Sequence, residues 1–127
     1  MREARVFATS VALAQADGTY KLQPLPVEAQ FSPVFASVVR DLDGDGHPDL
    51  LLAGNLYGVQ PVFGRYDASA GTLLRGLGGG RFTSADRSDL GIEGEVRDMK
   101  LVRLAGGGFV IAVARNNATL LTLRPEP

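Results

Sequence analysis

Four of the chain's nine aspartates, Asp41, Asp43, Asp45 and Asp49, fall in the run Asp41-Leu-Asp-Gly-Asp-Gly-His-Pro-Asp49. Carboxylates held so close repel one another, which destabilises a compact loop unless a cation neutralises them or some protonate. A hard divalent ion fits. Calcium takes ~6–8 oxygens at ~2.3–2.6 Å, and side chains at positions 1, 3 and 5 of such a loop turn inward around one centre. Gly44 and Gly46 permit the tight backbone path, His47 at position 7 offers its main-chain carbonyl, and Asp49 at position 9 supplies the closing side chain. The spacing predicts calcium as cofactor, with Asp41, Asp43, Asp45, His47 and Asp49 as its ligands.

An EF-hand shares the beginning of this pattern but requires a bidentate Glu at position 12 and a helix after the loop. Position 12 here is Leu52, and Pro48 followed by Leu50-Leu51-Leu52 reads as a strand. A plain solvated turn also favours Asp and Gly, yet it needs no carboxylates at i, i+2, i+4 and i+8. The expected role of the ion is structural, because protein groups fill the ligand positions and no nucleophile or general base is encoded beside them. The chain is therefore read as non-catalytic.

The loop must be held by strands. Sixteen glycines, seven prolines and short Val, Leu and Phe runs between turn signals point to many short strands. No window sustains a helical apolar period, so the predicted class is all-β. An internal repeat organises these strands. Asp17-Gly-Thr-Tyr20 recurs as Gly79-Gly-Arg-Phe82, and Val34 to Leu42 matches Val96 to Leu104, both at an offset of 62 residues. Leu50 to Asn55 matches Ile111 to Asn116 one residue closer. The unit has four strands, near 33–41, 49–55, 70–77 and 81–86. Two strands of a preceding unit (6–15, 19–24) and three of a following one (95–104, 109–115, 119–124) flank it.

Tandem four-stranded antiparallel units are what β-propeller blades look like in sequence, with a β-sandwich as the alternative. Residues 1–127 are then one partial propeller domain of about two and a quarter blades: 1–26 ends one blade, 31–90 is complete and carries the calcium loop, and 95–127 follows without a metal site. In the following unit the loop is replaced by Arg103-Leu-Ala-Gly-Gly-Gly108, with no carboxylate.

The stretch Phe35-Ala-Ser-Val-Val-Arg-Asp-Leu-Asp-Gly-Asp-Gly-His-Pro-Asp-Leu-Leu-Leu-Ala-Gly54 resembles an FG-GAP/VCBS repeat, the blade of integrin-α-type propellers. Gly54-Asn55-Leu-Tyr-Gly58, Phe63 to Ser69 and Arg115-Asn-Asn117 resemble the C-terminal end of large bacterial VCBS-repeat proteins related to cartilage acidic protein-like secreted proteins. The resemblance implies calcium in the loop between the first two strands of a blade. It also implies a role in adhesion, scaffolding or ligand binding in an extracellular, periplasmic or cell-surface setting. The alternative is a non-catalytic part of a larger extracellular enzyme, such as one acting on polysaccharide.

Composition narrows the partners. A net charge of −1 with 21% charged residues gives no basic surplus for nucleic acid. Without cysteine there are no disulfides or thiolate sites, and a single histidine removes His-based zinc sites. No apolar run reaches the ~18 residues of a membrane helix. The opening residues are broken by Thr9, Ser10 and Gln15 and lead into a hairpin, so they are not read as a signal peptide. Gly76 to Arg81 lacks the Lys-Ser/Thr of a P-loop and reads as a turn. The expected partners are the remaining blades of a parent chain or further copies of this one, together with a protein or carbohydrate ligand. Long ordered loops on a rigid scaffold often bind. Within 56–69, Tyr57, Phe63, Arg65, Tyr66 and Asp67 are therefore candidates for a ligand-contacting or inter-blade surface.

Overall fold

In a computed structural model, which describes residues 3, 5–57, 69–85 and 90–125, the chain is all-β and every strand pairing is antiparallel. A two-stranded sheet joins β1 (Ser10–Ala14) to β2 (Tyr20–Pro24). A four-stranded meander follows, β3 (Val34–Arg40), β4 (Asp49–Gly54), β5 (Thr72–Gly76) and β6 (Phe82–Ser84). A three-stranded meander completes it, β7 (Val96–Arg103), β8 (Phe109–Arg115) and β9 (Leu121–Leu123).

The nine strands among the described residues lie where the alternation of apolar runs and turns places them, most of them shorter than expected. The largest difference is β1, predicted from residue 6 and observed from Ser10. The Gln30 side chain explains this: its Oε1 accepts from the Thr9 N–H at 2.8 Å, and its Nε2 donates to the Thr9 carbonyl at 3.0 Å. The Gln30 side chain thus supplies the partner of the Thr9 N–H, while the Thr9 carbonyl also accepts from the Leu25 N–H at 3.0 Å. Gln30 ends a short 3-10 turn over Val27–Gln30, preceded by Pro26 and absent from the all-strand reading.

The backbone repeats with the sequence. β3 and β4 slip register between Val34 and Ala36, and β7 and β8 between Val96 and Asp98, so Phe35 and Arg97 are equivalent bulge residues. The two meet across the sheets, with the Arg97 guanidinium 4.7 Å from the Phe35 ring centroid. The turn bond from Gln15 N–H to Thr19 carbonyl likewise recurs from Leu77 to Arg81.

Successive side chains of a strand point to opposite faces, and in β4 every residue is buried. On one face Leu51 and Ala53 join Ala36 and Val38 against Val96, Met99, Ile111 and Val113 of the third sheet and Ile92 of the segment before it. On the other, Leu50 and Leu52 join Leu74 against Leu25 and Ala29, with Val11 of the first sheet packed beside them. The middle sheet is therefore covered on both sides. Leu74, Ile92, Ile111, Val96 and Val113 are essentially inaccessible, and each such side chain contributes roughly 1.5–3 kcal/mol of apolar burial. These two interfaces hold both ends of the aspartate loop.

Candidate metal centre

The aspartate run forms the connection between β3 and β4, whose last pair is Arg40 with Asp49. Gly44 and Gly46 sit at φ 81° and 88°, the left-handed region that a side chain makes costly. That path aims both glycine N–H groups at Asp41: Gly44 donates to Oδ1 at 2.7 Å and Gly46 to Oδ2 at 3.0 Å. Asp43 Oδ1 accepts from the Asp45 N–H at 3.3 Å, and Asp45 Oδ1 accepts from the His47 N–H at 2.7 Å. Each is the short-range turn bond to which Asp is suited.

Asp49 is different. It is 1% exposed, and both of its oxygens accept main-chain donors: Oδ2 from Leu42 at 2.8 Å and Oδ1 from Gly76 at 2.9 Å. It ties the loop's start to the end of β5. Gly76 is required for this seat, because a Cβ there would collide with the Pro48 carbonyl oxygen. In the equivalent hairpin of the third sheet, the Leu104 N–H donates instead to the Gly108 carbonyl at 3.2 Å. A main-chain carbonyl there replaces the carboxylate.

Asp41, Asp43 and Asp49 each bring a carboxylate oxygen to within 4.8 Å of the others. A cation bound by oxygens at ~2.3–2.6 Å spans about 5 Å between opposite ligands, so the group has the size and the hard-oxygen chemistry for one such ion. Asp45, expected as the position-5 ligand, lies outside this cluster, exposed and engaged with His47. His47 is exposed, and its imidazole lies against the β5–β6 turn, where a Cβ at Gly78 would come 3.1 Å from its Cε1. The compensating charge among the described residues is Arg75, whose Nε is 3.4 Å from Asp43 Oδ2.

Of the second candidate surface, Phe63, Arg65, Tyr66 and Asp67 lie outside the described residues. Tyr57 is half-buried, and its N–H donates to Glu95 Oε1 at 2.7 Å. The roots of this loop use residues the motif reading did not single out. Asn55, at φ 76°, donates from Nδ2 to the Ser69 carbonyl at 2.7 Å and accepts at Oδ1 from the Ser69 N–H at 3.2 Å. Buried Glu95 also accepts from Arg97 Nη2 and Asn116 Nδ2, both at 2.9 Å. The usable signal was the recurrence of an Asn at 55 and 116, each of whose N–H groups bonds back to the residue before its sheet's first strand.

No family model, curated protein or solved structure matches the chain. Among the described residues no helix is long and apolar enough to cross a membrane.

Proposed function

We propose that this chain is a non-catalytic, calcium-binding module of FG-GAP/VCBS type, its sheets arranged as blades of a β-propeller that serves adhesion, scaffolding or ligand binding outside the cytoplasm. The observation that carries the reading is the convergence of Asp41, Asp43 and Asp49 on one centre in a loop between two strands. Asp41 and Asp43 are the side chains with which the loop would hold the ion. Asp49 would add an oxygen while keeping its main-chain partners, and the ion would supply the positive charge that three adjacent carboxylates lack.

Burial of both faces of β4 favours stacked blades, because each sheet of a two-layer sandwich keeps one face outward. The extracellular setting follows from the resemblance alone. Isothermal titration of the chain, stripped with EGTA and then given calcium, tests the reading. One calcium per chain is expected in the parent and none in Asp43→Ala. The absence of saturable binding by the parent would refute it.

A further inference from the structure

The second and third sheets pack most closely along β3 and β7. Beside the aspartate loop, toward β5 and β9, they enclose a cleft of about 470 Å³. Its walls are part apolar, with Leu42, Leu51 and Leu73 from one sheet and its loop facing Ile111 and Leu123 from the other and Leu90 from the segment before it. Four charged side chains border it, Asp43, Asp49, Arg75 and Arg124. The two carboxylates are engaged, Asp49 by the Leu42 and Gly76 N–H groups and Asp43 by the Asp45 N–H and Arg75 Nε. The guanidiniums are not used up. Arg75 spends only its Nε, leaving its terminal nitrogens without a partner among the described residues, and exposed Arg124 has no ion pair or hydrogen bond there.

We propose that this cleft binds a small monoanionic amphiphile, an aliphatic or aromatic body bearing one carboxylate or sulfonate. The volume lies within the ~300–1,000 Å³ of small-molecule sites, which combine apolar walls with a few polar groups that fix orientation. The half-buried Leu42, Leu73, Leu90 and Leu123 take the body, over a floor of buried Leu51 and Ile111. Arg75 and Arg124 take the head, since a guanidinium presents paired donors matched to the two oxygens of a carboxylate. A dianion or a phosphate ester is disfavoured, because the Asp43 and Asp49 carboxylates lie on the same rim and repel additional negative charge. The cleft shares Asp43 and Asp49 with the candidate metal centre, but its anion donors are the two guanidiniums, so its binding is tested apart from calcium.

The probe is 8-anilinonaphthalene-1-sulfonate, titrated by fluorescence into the full chain in EGTA, so that a failure of calcium binding cannot masquerade as a failure here. Its uncharged relative N-phenyl-1-naphthylamine is the control. One saturable sulfonate site per chain is expected, and the double variant Arg75→Gln/Arg124→Gln should weaken it at least fivefold while leaving the uncharged dye unaffected. Decanoate should displace the sulfonate probe and decanol at equal concentration should not. Both arginines are solvent-facing, so near-ultraviolet circular dichroism of the variant should match the parent. A change below fivefold, equal loss of both dyes, displacement by decanol, or several dyes bound per chain would overturn the proposal.

Discussion

Asp43 and Asp49 sit in one loop, and replacing each by Ala should have different consequences, because only Asp49 also holds the fold. Asp49 is 1% exposed and accepts from the Leu42 and Gly76 N–H groups at 2.8 and 2.9 Å. Leaving a buried donor without a partner costs about 1–3 kcal/mol. Asp49→Ala orphans the buried Gly76 N–H and the part-buried Leu42 N–H, for a loss of ~1–6 kcal/mol against a total stability of ~5–15 kcal/mol. That loss persists without calcium. Asp43 makes one exposed ion pair, with side-chain exposures of 58% for Arg75 and 31% for Asp43, and such pairs contribute at most ~1 kcal/mol after screening. Asp43→Ala should therefore match the parent within ~1 kcal/mol in EGTA, yet forgo the ~2.7 kcal/mol that calcium adds at 100-fold excess over its dissociation constant. Urea unfolding followed by circular dichroism, with and without calcium, gives all the differences, provided the denaturant slopes agree. If Asp49→Ala in EGTA fell within ~0.5 kcal/mol of the parent, the range of surface substitutions, the structural role assigned to that carboxylate would be wrong.

Magnesium should raise the unfolding midpoint much less than calcium at equal concentration, because it demands tight octahedral geometry and sheds water reluctantly; equal midpoints would remove the preference for calcium. Gly76→Ala should lower both stability and calcium affinity, since its Cβ meets the Pro48 carbonyl and displaces the N–H that seats Asp49; a neutral result in melting would show that the seat adapts. Asp17 has its carboxyl held below the ordinary carboxylate range by the Thr19 hydroxyl first and the Thr19 N–H second. Its contribution is therefore complete above the ordinary range and lost as pH falls through the lowered value, and Thr19→Val should move the NMR titration midpoint of Asp17 upward. Self-association should run through the outer face of the first sheet, where Tyr20 and Leu22 are 71% and 54% exposed; sedimentation should show Leu22→Lys dissociated and Val102→Lys unchanged.

What could be read from the sequence was what local chemistry writes locally. Strands β4 and β8 appear as apolar runs, and the paths through Gly44 and Gly46 follow from residues that tolerate left-handed backbone. The carboxylate spacing marked the loop, but spacing alone does not separate a side chain aimed at a centre from one bonded to its own turn. Asp41 and Asp43 make such turn bonds and still converge with Asp49, whereas Asp45, whose Oδ1 caps the His47 N–H, lies outside that group. The seat of Asp49 was not legible, since its partner Gly76 lies 27 positions away and looks in sequence like any turn glycine. Arg75 and Glu95 were missed for the same reason, as Asp43, the partner of Arg75, and Tyr57 and Asn116, partners of Glu95, lie far from them along the chain.

The repeat also conceals a difference that only packing reveals. In the middle sheet, Ala36 pairs with Ala53 and Val38 with Leu51, and all four are buried against the third sheet. The equivalent pairs in the third sheet are Asp98 with Ala114 and Lys100 with Ala112. There Lys100 Nζ and Asp98 Oδ1 are 3.0 Å apart on an exposed surface. Covering that face with another apolar sheet would strip water from both charges, a penalty of several kcal/mol per ion that their mutual attraction does not reliably recover. The opposite end of the stack carries no such deterrent. Ala12 pairs with Leu22 and Ala14 with Tyr20, which places four apolar side chains on the side of β1 and β2 away from Val11 and the middle sheet. Repeat units of one backbone pattern thus differ in what their faces accept, and the difference rests on residues 98 and 100 against 36 and 38. A second copy meeting the first sheet head to head avoids burying the Asp98–Lys100 pair, whereas a head-to-tail copy must bury it. Association of two copies is therefore the expected limit, and an open-ended fibre is the result this surface opposes.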